Sequence, residues 1–217
     1  SARAYGQKGI VEKMLGKTQE ALDNFTKAIE MDAGYAWAFA QRADLYSKRN
    51  EQEKALADVN RALAVSPRFG EGYRMRAWIL SRMGKCKEAF EDFQKVADIK
   101  PNDAWSIQDR AWFLMTCPDE KLQDTAKALE LAQIATKLTE GKDAVVQETL
   151  AEAHFRQGDP AKAAELQKKA IELKSRSCPS GSCTEEMRER LKKYELAARI
   201  EVRTHYEILP TDSNYRP

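Results

Sequence analysis

The stretch from 70 to 101, GEGYRMRAWILSRMGKCKEAFEDFQKVADIKP, decides the fold of this chain. Small and apolar residues recur in both halves at spacings of three and four, which is the period of an α-helix. The residues with this spacing are Tyr73, Ala77 and Leu80 in the first half and Ala89, Phe93 and Ala97 in the second. Gly84 marks the turn, and Pro101 ends the second helix because it has no N–H and restricts the residue before it. The stretch predicts a helical hairpin that cannot bury both helix faces without neighbours.

The hairpin recurs along the chain at an interval of 34 residues. One step back takes Pro101 to Pro67 and Ala77 to Ala43, and a second step takes Ala43 to Gly9. Small residues at these places let helices cross closely, and each copy supplies the neighbour that the next one needs. The period therefore predicts an all-α array of stacked hairpins.

The hairpin resembles the tetratricopeptide repeat (TPR) family, whose pattern is W-x2-L-G-x2-Y, then A-x3-F, then P. The residues that match it are Tyr73, Arg76, Ala77, Leu80, Ala89, Phe93 and Pro101. The stretch 112–119, WFLMTCPD, is similar to an element of some bacterial members. The resemblance implies a right-handed α-solenoid of about five repeats with a C-terminal capping helix, and it implies a protein-binding scaffold without naming the partner.

The period and its interruptions predict one solenoid, 1–204, followed by an extended tail, 205–217. The predicted repeats span about 2–34, 35–68, 69–102, 103–141 and 142–175, with a loop at 175–183 and a capping helix at 184–204. Ala89 and Ala128 are 39 residues apart, five more than the period, so the fourth repeat carries an inserted loop at 117–124. Asp124 or Thr125 is the predicted N-cap where the helix resumes.

Composition and charge exclude several classes of function. The net charge of +2 comes from 36 basic and 34 acidic residues that are interleaved, so no strong field collects nucleic acid or anionic lipid. No stretch approaches the 18 or more apolar residues of a membrane helix. No catalytic or phosphate-binding motif is present, and two histidines leave little general-base machinery. We expect a protein that is not an enzyme, uses no cofactor or metal, and binds neither a membrane nor nucleic acid.

The TPR resemblance also predicts a binding groove, because the first helices of such repeats line a concave surface. Its residues lie one position after the small contact residue and one helical turn on either side. The predicted groove residues are Trp78, Arg74, Arg82, Trp112, Asp44, Lys48 and Gln108, with Trp105 and Trp37 near the helix starts. Tryptophan with arginine offers a large apolar area and bidentate donors for carboxylates, so a peptide with an acidic segment is the expected partner. The alternative is that each tryptophan packs as core against the next repeat.

Arg42, Arg76 and Arg110 stand just before the small contact residue, where the family usually has Leu. An Arg-Ala pair here resembles co-chaperone TPR domains, which clamp the C-terminal carboxylate of a partner with Asn, Lys and Arg. Asp44 and Trp78 occupy places where that clamp needs Asn, so chaperone-tail binding is not carried over. The alternative is an ion pair between repeats from each arginine to a nearby carboxylate.

The four cysteines do not determine in which cellular compartment the protein resides. Cys86 and Cys117 are single, in or near turns, whereas Cys178 and Cys183 bracket CPSGSC, which either closes a small disulfide in an oxidising compartment or carries free thiols. The spacing is not C-x2-C, which disfavours a metal or redox site. The chain fits the bacterial cytoplasm or an exported location, and the CPSGSC disulfide with the start at Ser1 slightly favours export.

The leading functional hypothesis is a non-enzymatic scaffold that binds a peptide or partner helix in the groove. A second hypothesis is an assembly domain of a larger protein that self-associates as a homo-oligomer, with the tail of one copy, 205–217, in the groove of another. A third is single-stranded RNA binding through aromatic stacking with arginine.

Overall fold

The computed structural model describes residues 1–178 and 182–208, with side chains described as far as residue 201. Within this part the chain has eleven α-helices, two short 3-10 helices and no strand, which confirms the all-α fold. The α-helices are α1 (Ala2–Met14), α2 (Thr18–Met31), α3 (Ala36–Lys48), α4 (Gln52–Val65), α5 (Gly70–Arg82), α6 (Cys86–Ile99), α7 (Ala104–Thr116), α8 (Thr125–Leu138), α9 (Ala144–Arg156), α10 (Pro160–Arg176) and α11 (Glu185–Ile208). The 3-10 helices are η1 (Glu120–Leu122) and η2 (Ser182–Thr184).

The turns inside the hairpins need a residue with left-handed backbone conformation. Gly84 supplies it between α5 and α6, with φ at 73°, and Asn50 supplies it between α3 and α4, with φ at 62°. Glycine adopts this conformation without a steric penalty, and asparagine tolerates it better than most residues do. Both turns lie where the 34-residue period predicts them.

The first compact unit comprises residues 1–102 and 117–123, and so contains α1 to α6 and η1. Its helices pack as consecutive pairs, in the manner of an α-solenoid. The small residues of the repeat pattern are fully buried where helices cross: Ala21, Ala43, Ala55, Ala77 and Ala89. Gly9 belongs to the same set, because a Cβ at this position would lie 2.8 Å from the ring of Phe25.

The second compact unit comprises residues 103–116 and those from 124 onward, and so contains α7 to α11. Asp124 caps α8, as predicted, and its side chain accepts a hydrogen bond from the backbone N–H of Lys127. The capping helix α11 packs against α10 and buries Met187 and Tyr194. With two compact units described, one continuous solenoid over 1–204 stays a prediction.

The last helix is longer than the sequence pattern predicts. α11 ends at Ile208, so residues 205–208 are helical and the prediction of an extended tail is wrong there. No glycine or proline interrupts the sequence between Thr184 and Pro210, and a proline disfavours helix in the residue before it. The rest of the predicted tail, 209–217, lies outside the described residues. None of the helices in the described ranges has an apolar segment long enough to cross a bilayer.

Candidate functional site

A cleft of about 230 Å³ lies between α3 and α5 in the first unit. Five of the predicted groove residues line it: Asp44 and Lys48 from α3, and Arg74, Trp78 and Arg82 from α5. The two helices are the first helices of consecutive hairpins, and the lining residues recur at helical spacing along each of them. The register rule therefore brings these five residues to one opening.

Trp78 lies in the middle of the cleft and is half-buried. Its ring meets the ring of Phe93 edge to face, with the centroids 5.3 Å apart and the planes at 80°. Met75 and Ile79 line the same part of the cleft. Trp78 thus packs on the second helix of its own hairpin and still offers part of its ring to the cleft. It combines the two predicted roles, a core residue and a groove residue.

Cations outnumber carboxylates at the end of the cleft formed by the last turns of α3 and α5. Asp44 accepts hydrogen bonds from Lys13 and Lys48, with Nζ to Oδ2 distances of 2.7 and 2.8 Å. Arg82 donates to the hydroxyl of Ser47 at 3.1 Å, and it forms no ion pair with any residue that the structure describes. Lys13 and Lys48, which bind Asp44, and Arg82, which lines the same cleft, are together with Asp44 called the basic pole below.

The carboxyl group of Asp44 stays ionised at neutral pH. Burial by itself raises the pKa of Asp44, but the hydrogen bonds from Lys13 and Lys48 outweigh burial and bring this pKa below its usual value. One negative charge therefore stands against three positive charges, so the basic pole keeps a net positive charge. At the opposite end of the cleft Arg74 pairs with Glu71, with Nη1 to Oε1 at 3.1 Å, which balances charge there.

Two of the predicted tryptophans do not line this cleft. Trp37 stacks on Tyr35 with ring centroids 5.6 Å apart and meets Phe25 edge to face, so it belongs to the core of the first unit, as the core alternative has it. In the second unit Trp105 is 55% exposed, and its indole N–H donates to Asp143 at 3.2 Å.

The capping helix covers one of the groove residues predicted in the second unit, Trp112. The guanidinium of Arg190 on α11 lies 5.2 Å from the ring centroid of Trp112 and pairs with Glu148 at 2.6 Å. Gln108 is buried, and its amide donates to the hydroxyl of Thr149 at 2.8 Å. Gln108 therefore does not line an open surface, and Trp112 already has an arginine over its face.

A second cleft, of about 430 Å³, lies in the second unit between the starts of α9 and α11. Its charged lining combines two cations with three carboxylates: Lys174, Arg190, Glu148, Glu185 and Glu186. Such a lining has no excess of positive charge, and Arg190 is already paired with Glu148. The cleft between α3 and α5 is therefore the better candidate for an acidic ligand.

Two of the three arginines in the column form ion pairs, and each pair lies within one hairpin rather than between hairpins. Arg42 binds Asp58 through two hydrogen bonds of 2.7 and 2.8 Å, and Arg76 binds Asp92 through two of 2.7 Å. These bonds raise the pKa of both arginines against the lowering effect of burial. Bidentate pairs of this kind join the two helices of one hairpin, which explains why arginine replaces the usual Leu.

The third arginine, Arg110, lacks this partner. The offset of 39 residues that carries Ala89 to Ala128 carries Asp92 to Leu131. The Nε of Arg110 is buried and has no hydrogen-bond partner in the described part of the chain. The acceptor is missing because leucine stands in α8 at the position where α4 and α6 carry aspartate.

The structure pairs all four cysteines in two disulfide bonds. Cys86 is the first residue of α6 and Cys117 opens the inserted segment; both are buried, with their Cα atoms 6.3 Å apart. Cys178 and Cys183 are bonded with their Cα atoms 6.4 Å apart. The sequence-based description of Cys86 and Cys117 as single is therefore wrong. The pairing was not visible in the sequence because the two cysteines are 31 positions apart and belong to different repeats.

The chain belongs to the tetratricopeptide repeat family, whose sequence models match residues 2–35, 71–103 and 120–181. Repeats of this family form scaffolds for protein–protein interaction and are typically not enzymes. No curated protein matches the chain by sequence.

Solved structures with similar folds include TTC0263, a thermophilic TPR protein of Thermus thermophilus, which is 18% identical over 90% of this chain and 100% of its own, with a TM-score of 0.73. The TPR protein YrrB is 19% identical over 89% and 92%, with a TM-score of 0.57. A chain of the APC/C hetero-tetramer Cut9–Hcn1 is 17% identical over 92% of this chain and 37% of its own, with a TM-score of 0.77. Likenesses at this level of identity show the fold alone.

Proposed function

We propose that this protein is a non-enzymatic scaffold that binds a peptide segment of a partner protein in the cleft between α3 and α5. The observation that carries the proposal is the combination of a partly open Trp78 ring with a net positive basic pole beside it. A ligand with an apolar side chain and a carboxylate satisfies both features at once.

The energetics fit a weak to moderate interaction. Covering the open part of a tryptophan ring contributes on the order of 1–3 kcal/mol at the usual value per unit of apolar area. A carboxylate of the ligand that accepts two hydrogen bonds from Arg82 adds specificity. It contributes little to the binding free energy, because Arg82 is exposed and water weakens the ion pair. Since salt screens exposed charges, we expect affinity to fall as ionic strength rises.

The similar solved structures are compatible with this role. The structure of YrrB is described as that of a TPR protein with an unusual peptide-binding site. At 19% identity the likeness supports only the use of such a fold for peptide binding, and the residues proposed for this chain rest on its own cleft.

The test is a selection of peptides from a random displayed library on the full chain. Affinities of the selected peptides are then measured by fluorescence anisotropy for wild type and for the double variant Trp78→Ala, Arg82→Ala. The matched control is Trp105→Ala, Arg61→Ala, which removes an exposed tryptophan and an exposed arginine that do not line this cleft. Circular dichroism verifies that both variants fold.

We expect the cleft variant to lose at least about tenfold in affinity, equivalent to about 1.4 kcal/mol, while the control variant binds like wild type. Selected peptides that bind the folded cleft variant as tightly as wild type would show that the site lies elsewhere. Failure to select any peptide would contradict the proposed function itself.

A further inference from the structure

We propose that the cleft recognises an extended peptide in which one acidic and one large apolar residue are separated by a single residue. The acidic side chain binds at the basic pole and the apolar side chain covers Trp78. This inference rests on the proposed function and specifies the ligand of the same cleft.

The spacing of the two anchors on α5 carries the inference. Trp78 and Arg82 are four residues apart and lie on the same face of the helix. With a rise of 1.5 Å per residue, they are displaced by roughly 6 Å along the axis. In an extended chain, residues i and i+2 point to the same side and are roughly 6.6 Å apart. An acidic and an apolar residue with one residue between them therefore match the two anchors.

The two ends of the cleft differ, so the two side chains of the ligand cannot exchange places. Arg82 and Lys48 lie at one end and share the positive charge of the basic pole. At the other end Arg74 is paired with Glu71, whose carboxylate repels an acidic side chain. The carboxylate of the ligand is thus directed to the basic pole, and a second acidic residue beyond the apolar one gains little.

The width of the cleft favours an extended ligand over a helical one. Residues i and i+4 of a helix also lie roughly 6 Å apart on one face, so spacing alone does not separate the two conformations. The cleft lies between α3 and α5, whose Cα atoms approach within 8 Å of each other. A helix with its side chains is about 10 Å across and rests on the rims of such a cleft, whereas an extended segment is narrow enough to place its side chains inside it.

The experiment compares synthetic fluorescein-labelled peptides of identical composition, built from one Glu, one Leu, Gly, Ser and Gln. In one peptide a single residue separates Glu from Leu, in a second none does, and in a third three residues do. Anisotropy titrations with the full chain at low salt give their dissociation constants. Trp78→Ala and Arg82→Ala are measured separately, and Arg61→Ala serves as the control arginine.

We expect the peptide with a single intervening residue to bind at least about tenfold more tightly than the other two. Either cleft substitution should reduce its affinity several-fold and abolish the preference among the three spacings, whereas Arg61→Ala should change neither. A lower affinity in high salt for wild type, with a weaker salt dependence for Arg82→Ala, supports the placement of the carboxylate.

Three results would overturn the inference. If the peptide with three intervening residues binds best, the ligand is helical. If all three bind alike and Trp78→Ala still abolishes binding, the spacing rule fails while peptide binding in the cleft stands. If the first peptide does not bind, the rule fails, and the library selection decides separately on the proposed function.

Discussion

The disulfide between Cys86 and Cys117 should be a major source of stability for the first unit. The perturbation is the double substitution Cys86→Ala, Cys117→Ala, in which alanine avoids leaving an unpaired polar group at two buried positions. The bond joins residues separated by 31 positions. The chain-entropy relation for a loop of that length gives about 3.7 kcal/mol at 25 °C.

The second disulfide provides an internal comparison. Cys178 and Cys183 are separated by only 5 positions, and the same relation gives about 2 kcal/mol for removing their bond. Urea denaturation followed by circular dichroism measures the free energy of unfolding of each double alanine variant under non-reducing conditions. Hydrogen exchange of the amides in α5 and α6 reports locally on the first unit.

We expect the Cys86, Cys117 variant to lose more stability than the Cys178, Cys183 variant, with faster exchange in α6. Titration of the unfolded wild-type protein with a thiol reagent should find no free thiol. If the Cys86, Cys117 variant unfolds at the same urea concentration as the wild type, or if two free thiols are found at these positions, the reasoning is refuted.

Three further perturbations test the packing of the repeats. Asp92→Ala should lower the free energy of unfolding by about 3 kcal/mol in urea denaturation, because it leaves Arg76 half-buried without its carboxylate; a loss below about 0.5 kcal/mol would contradict this. Gly9→Ala should lower the free energy of unfolding by about 1–3 kcal/mol, because the added methyl group overpacks against the ring of Phe25 on α2. An unchanged midpoint in thermal denaturation would contradict this close approach. Burial and the hydrogen bond to Glu152 raise the pKa of Tyr194, so stability should fall as the pH rises above about 10, where the unfolded chain releases this proton first. In Tyr194→Phe, the free energy of unfolding measured by urea denaturation should fall less steeply with pH in the alkaline range. A slope equal to that of the wild type would contradict this prediction.

The register of the repeat was enough to place part of the candidate site. Asp44, Lys48, Trp78 and Arg82 line one cleft because a 34-residue period fixes which face of each first helix points the same way. The rule could not place Gln108, because burial depends on the neighbour that covers a helix face. A helical wheel identifies a face and leaves its neighbour undetermined.

The pairings that involve irregular segments could not be read from the chain. Cys117 directly follows α7 and is bonded to Cys86 at the first position of α6, and the spacing of 31 positions does not by itself identify this pair. Likewise, the length of α11 depends on the lack of a helix-breaking residue before Pro210, although the polar composition after Thr204 suggests an extended tail. Periodicity predicts regular elements well and connections poorly, because connections obey no repeating geometry.

The sequence by itself determined the all-α class, the helical hairpin and its 34-residue period, since these follow from local spacing and from small residues at crossing points. Only the tertiary structure decided which groove positions stay open. Arg190 reaches Trp112 and Glu148 from a capping helix far along the chain, whereas Arg82 keeps no carboxylate partner in the described part. The physical reason is that the same register position has a different neighbour in each repeat, and charge and burial at a site are set by neighbours in space.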